Sequence, residues 1–233
     1  MNKIILPLDT DSAENAVEWV ELLKDDVGAF KVGLELINVA GLTIFDRIIE
    51  AGARKIFYDC KFHDIPNTVA GACRAVAGRG IWMINVHCAG GYAMMKAAKD
   101  AVVEQSAKLG AETPLVIGVT VLTSIDQLTL NNDMRVGGSV ADQVVHLAAL
   151  AQKAGLDGVV ASPHEIEQIR AACGPDFVIV TPGVRPADAE IGDQKRVMTP
   201  REAVTKGADY LVIGRPITKA VDPHAAAQAI AAS

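Results

Sequence analysis

The chain lacks the marks of several large classes of protein. No apolar stretch approaches the ~18 residues of a membrane-spanning helix, and Met1-Asn2-Lys3 leads straight into a short strand, so no secretion signal is expected. No cysteines are paired as CxxC. Cys60, Cys73, Cys88 and Cys173 are scattered without metal-ligand spacing, which suits free thiols in a reducing compartment. There is no basic excess, since 22 Lys and Arg stand against 28 Asp and Glu for a net charge of -6, and no run of like charge. That excludes a general nucleic-acid or membrane surface and points to a small-molecule partner. A glycine-rich dinucleotide turn is missing too, because Gly90-Gly91 and Gly137-Gly138 lack the third glycine and its spacing. With no low-complexity segment or linker, a soluble cytoplasmic protein is expected.

What is present is a chain of 233 residues, 50% of them hydrophobic, enough for one large core and a single domain over 1–233. Short β-rich runs alternate with longer helical stretches. The runs start at Ile4, Gly28, Lys55, Ile81, Leu115, Leu156, Phe177 and Tyr210 and end near Asp9, Gly33, Lys61, His87, Val121, Ala161, Thr181 and Gly214. Nearly continuous apolar strands followed by helices imply a parallel sheet covered by helices. Eight such units at this length predict a closed (β/α)8 TIM barrel, with its site at the C-terminal strand ends. Ser12 is placed to cap the first helix, whose apolar face is Ala16, Val17, Val20 and Leu23.

Polar residues gather at those ends. In the third strand Asp59 and Lys61 are two apart and share a face, with Tyr58 and Cys60 on the other. Asp64 lies past the strand, where a turn could aim it back. Solvated strand-end charge is the plain alternative on spacing alone. Asp9 and Lys31 end the first two strands, and Lys31 stands between Phe30 and Val32. His87, with Asn85 on the same face, reads as a satisfied or supporting histidine outside the site. Ser124 with Gln127 fits a capping box, leaving Thr123 as the uncommitted hydroxyl. The stretch from Thr181 to Arg196 is polar and without apolar periodicity, as a lid would be. Gly214-Arg215-Pro216 combines a close-approach glycine, an arginine and a helix start, the makings of a phosphate site.

The run Asp59 to Thr68, D-x-K-x-x-D-I-P-N-T, resembles the signature of orotidine 5'-monophosphate decarboxylases, and the likeness extends from Asp9 to Arg215. The resemblance implies decarboxylation of orotidine 5'-monophosphate to UMP without cofactor or metal. Lys61 would protonate carbon 6, and Asp59 and Asp64 would hold its ammonium. It assigns substrate contacts to Asp59, Cys60, Lys61, Phe62, His63, Asp64, Ile65, Pro66, Asn67 and Thr68. Asp9 and Lys31 take the ribose, Thr123 the pyrimidine edge, and Arg185, Gln194, Gly214 and Arg215 the phosphate. Cys60 and Phe62 stand where leucine is frequent, Cys60 expected to face the helices and Phe62 the turn. A homodimer with shared sites is implied, Asp64, Ile65 and Thr68 reaching the neighbouring subunit. Two alternatives remain: a magnesium-dependent hexulose-6-phosphate synthase or 3-keto-gulonate-6-phosphate decarboxylase, and a non-catalytic barrel that binds a phosphorylated ligand. Lys31, where the magnesium enzymes resemble one another in having a glutamate, is a poor magnesium ligand.

Overall fold

The computed structural model describes residues 2–185 and 198–232. Eight parallel strands close on themselves in chain order: β1 (Ile4–Pro7), β2 (Ala29–Val32), β3 (Ile56–Phe62), β4 (Met83–His87), β5 (Leu115–Val119), β6 (Gly158–Val160), β7 (Val178–Pro182) and β8 (Tyr210–Val212). The helices are α1 (Ala13–Leu23), α2 (Leu34–Ala40), α3 (Ile44–Glu50), α4 (Pro66–Val76), α5 (Gly91–Leu109), α6 (Val140–Lys153), α7 (Ile166–Cys173), α8 (Pro200–Thr205), α9 (Arg215–Thr218) and α10 (Pro223–Ala232). The (β/α)8 barrel expected from the alternation of runs is the fold.

Strand alternation divides the apolar residues between two cores. Ile5, Ala29, Phe57, Met83, Ile117 and Val180 turn inward and fill the barrel. Their neighbours Ile4, Leu6, Phe30, Ile56, Tyr58 and Ile84 turn outward under the helices. Closure of the ladder brings Ile5 opposite both Ala29 and Val212. Gly158 is required by a close approach, because a Cβ there would stand 2.1 Å from the Val178 carbonyl oxygen.

The ladders are shorter than the apolar runs. Trp82, inside the fourth run, lies before β4. Its ring packs edge-on to Tyr210 at 4.9 Å between centroids, with the Lys55 ammonium 4.8 Å from the ring centre, so its apolar surface serves the barrel's lower rim. Two acidic residues tie the strands at that end. Asp157 accepts from the Val116 N–H and the Lys99 ammonium, and Asp209 from the Ile179 N–H and the Arg170 guanidinium.

Ser12 caps α1 as expected, accepting from the Asn15 N–H. The capping box at Ser124 and Gln127 does not form. Asp126 accepts from the Thr129 N–H instead, and the Gln127 amide donates to Asn131 and the Gly138 carbonyl, clasping the loop before α6. A carboxylate two residues closer to the helical residues displaced the hydroxyl as cap. The stem of the long connection after β7 is joined by a bridge between Val184 and Met198, with the Arg185 N–H donating to the Met198 carbonyl at 3.0 Å. Gln194 lies outside the described residues.

Ile117 is fully buried inside the barrel. Ile117→Ala is expected to lower the unfolding free energy by about 2–5 kcal/mol, read from urea unfolding; a change below about 0.5 kcal/mol would mean that the barrel interior closes over the gap.

Candidate active site

A cavity of about 310 Å³ opens at the C-terminal ends of the strands. Pro7 and Asp9 reach it from β1, Lys31 from β2, and Phe57, Asp59 and Lys61 from β3. Val119, Val121, Leu122, Thr123, Val160 and Ala161 form another wall, and Pro182 to Arg185 with Val212 and Gly214 to Pro216 the wall opposite β3 to β5. The pocket is thus apolar in the middle, with acids and ammonium groups on one side and two arginines on the other.

The polar side is built around Asp59, whose side chain is only 12% exposed. Its Oδ2 lies 3.2 Å from the Lys31 ammonium, and its Oδ1 accepts from Lys61 Nζ and from Asn85 Nδ2, each at 2.7 Å. Lys31 also reaches Asp9 Oδ1 at 3.3 Å. Burial pushes the Asp59 carboxyl up, but the Lys31 and Lys61 ammonium groups, the Lys61 hydrogen bond and the Asn85 hydrogen bond more than offset it, and the group is held below the ordinary carboxylate range.

Strand geometry alone does not place Lys61. The β3–β4 register shifts between Tyr58 and Phe62, and Lys61 has φ 49°, a left-handed conformation rare for a residue with a side chain. Such backbone costs of order 1–3 kcal/mol and persists where its surroundings enforce it. Here the Lys61 N–H leaves the ladder and donates to Asn85 Oδ1 at 2.7 Å, while the side chain folds onto Asp59.

Of the sequence-derived site residues, Asp9, Lys31, Asp59, Lys61, Thr123, Arg185, Gly214 and Arg215 meet at the cavity. The rest of the β3 motif does not line it. The Cys60 thiol points to the helix side and donates to the Asn85 carbonyl at 3.0 Å, and burial pushes its pKa up to about 12. Phe62 packs on the outer core, edge-on to Tyr58. His63, Asp64, Ile65, Pro66, Asn67 and Thr68 form an exposed stretch leading into α4. Within one chain Asp64 does not hold the Lys61 ammonium as the turn was expected to allow: its carboxylate accepts from the adjacent Ile65 N–H at 2.6 Å. His87 stacks 5.3 Å from His63, and its pKa is lowered by burial, then by His63 and Lys61. Among the described residues no cluster of three or more His, Cys, Asp or Glu forms a metal cage.

Comparison with known proteins identifies the family. The family model described as "Orotidine 5'-phosphate decarboxylase / HUMPS family" matches residues 2–230. The chain belongs to that family. It is 55% identical to the orotidine 5'-phosphate decarboxylase of Moorella thermoacetica, over 99% of this chain and 91% of that one. It is 48% identical to the protein of the same name from Nostoc, over 97% and 94%. The solved orotidine 5'-phosphate decarboxylase of Lactobacillus acidophilus superposes with a TM-score of 0.87 at 39% identity, covering 99% of this chain and 97% of that one.

Beside the residues of the family motif stands Asn85, which sequence reasoning noticed and set aside. Its signal was a single amide in an otherwise apolar strand, Met83 to Val86. Its partners lie on β3, more than 20 residues away.

The folded Asp59 carboxyl titrates below its ordinary value of 3.8, so its contribution to stability is full above that value and is lost as pH falls through the lowered one. Lys31→Met removes the largest opposing charge and is expected to move the Asp59 titration upward, followed by the side-chain carboxyl 13C shift against pH. An unmoved midpoint would take Lys31 out of the electrostatics of the site.

Proposed function

We propose that this protein decarboxylates orotidine 5'-monophosphate to UMP. The observation that carries the reading is the Lys61 ammonium, held at 2.7 Å by a buried carboxylate on the wall of a strand-end cavity. The bond from carbon 6 to the carboxylate carbon breaks, carbon dioxide leaves, and the electron pair stays on carbon 6. Lys61 faces that developing charge with its own and passes a proton from Nζ to carbon 6, making UMP; water then restores the ammonium. No cofactor is called for, because one side chain supplies both charge and proton.

The remaining roles follow the family resemblance. Asp9 and Lys31 hold the ribose, Thr123 the pyrimidine edge, and Arg185, Gly214 and Arg215 the phosphate, with Gln194 as a lid position. Asp59 fixes Lys61. The magnesium reading is not favoured, since the ammonium of Lys31 occupies the place of its acidic ligand and pairs with Asp9 and Asp59.

Asp64, Ile65 and Thr68 belong, in this reading, to the site of a second copy. Two features support a homodimer: Ile65 is 68% exposed in a segment with no role in its own cavity, and Asp64 is on the surface beside it. Four buried thiols support a cytoplasmic setting.

Lys61→Ala is expected to abolish UMP formation, followed by absorbance with no added metal, while UMP still binds in calorimetry; near-normal turnover would remove Lys61 from the chemistry. Mixing inactive Lys61→Ala with inactive Asp64→Asn subunits, unfolded and refolded together, should restore about a quarter of wild-type activity, because half the dimers are mixed and each carries one intact site. A mixture as dead as its components would return Asp64 to its own chain.

A further inference from the structure

We propose that Asn85 is a positioning residue of this active site: its amide holds the Lys61 backbone and the Asp59 carboxylate together, and so sets where the Lys61 ammonium stands. The inference rests on the decarboxylase reading for what that ammonium does, but the contacts that carry it belong to the chain itself.

Asn85 is completely buried in β4, between Ile84 and Val86, which are also fully buried. An amide without partners in such a place is costly, and its ends must both be satisfied. Oδ1 accepts from the Lys61 N–H at 2.7 Å and Nδ2 donates to Asp59 Oδ1 at 2.7 Å. The amide has one sensible orientation, since the reverse would set nitrogen against an N–H and oxygen against a carboxylate. The Asn85 carbonyl accepts the Cys60 thiol, so three consecutive β3 residues are tied to one residue of the next strand.

These ties fall where β3 departs from its ladder. Lys61, at φ 49°, has given up the strand's pairing, and the Asn85 side chain takes the N–H that the slipped register releases. At the other end, Asp59 Oδ1 receives the amide and the Lys61 ammonium together, while Oδ2 faces Lys31. Without the amide, the Lys61 N–H is left buried and the carboxylate is free to turn toward Lys31. Either change moves Nζ relative to the cavity. The substrate need not touch Asn85, which is absent from the cavity wall.

The test uses the full chain and two variants. Asn85→Ala is expected to lower kcat about 100-fold, as a misplacement near 1 Å does, with KM for orotidine 5'-monophosphate changed less than about threefold. Asn85→Asp keeps the acceptor for Lys61 but sets a second anion against Asp59, among Lys31, Lys61, the Cys60 thiol and, further along β4, His87 with His63 against it. When that pair takes up one proton, the new carboxyl donates to Asp59 as the amide did. The kcat of Asn85→Asp relative to wild type should therefore climb as pH falls, by up to about tenfold per unit until the shared proton is bound. A role confined to packing would give a flat ratio. A flat ratio, or an Asn85→Ala enzyme with wild-type kcat, overturns the proposal; an Asn85→Ala chain that does not fold leaves the decision to Asn85→Asp. Should the wild type make no UMP, the decarboxylase reading fails. The Asn85 tie is then read from the Asp59 13C titration, which must move upward in Asn85→Asp and, if unmoved, overturns it.

Discussion

A carboxylate taken out of water is the constraint on which this site depends. Asp59 is buried, and an anion there survives only with its oxygens fully engaged. The barrel supplies the partners from three adjacent strands: Lys31 from β2, Lys61 from its own strand and Asn85 from β4. At these separations each ammonium contributes roughly 5–6 kcal/mol of attraction at an effective dielectric near 20. Removing one partner of such a buried pair costs about 3–5 kcal/mol, so the groups are interlocked. The array of Asp9, Lys31, Asp59 and Lys61 carries two charges of each sign, and the net positive charge for an anionic ligand comes from Arg185 and Arg215 on another wall.

The same constraint accounts for the one irregular stretch of β3. A regular strand would place residue 61 on the face of Asp59 but keep its N–H in the ladder. The left-handed turn at Lys61 lets the ammonium curl back to 2.7 Å from Asp59 while the N–H finds Asn85. Local strain is balanced by one cross-strand amide, and the result is a lysine whose position is set at both its backbone and its tip. Preorganisation of this kind fixes charge before a reaction begins and spares its reorganisation during it.

Most of the barrel was legible because parallel strands buried on both faces are written as continuous apolar runs. Their ends were not, since an apolar residue such as Trp82 can serve the rim as well as the ladder. At Ser124 the spacing of a capping box was present, but Asp126 stood nearer the helical residues and outcompeted it. In the site, strand parity placed Asp59 and Lys61 together and Cys60 against the helices. Parity said nothing useful about Asp64, because its carboxylate, beyond the strand, bonds to the next backbone N–H. Asn85 was seen but given no role, for a different reason. An amide in an apolar strand signals only that some partner exists, and which partner depends on the register of β4 against β3, including the slip at Lys61.

Where the two halves of the cavity are mounted bears on how binding could assist chemistry. Arg185 follows β7 on a stem joined by the Val184–Met198 bridge, and Arg215 opens α9 directly after β8. Gly214 is packed so closely that a Cβ would stand 2.8 Å from Pro7 Cγ, which keeps the β8 turn against β1. In the proposed reading the phosphate is held from these braced positions, while Lys61 stands on β3, across the apolar middle of the pocket. A ligand fixed at one end by these two arginines has little freedom to withdraw its ring from the ammonium at the other. Binding energy far from the breaking bond then improves turnover as well as affinity, because the orientation it enforces is the one the transition state needs.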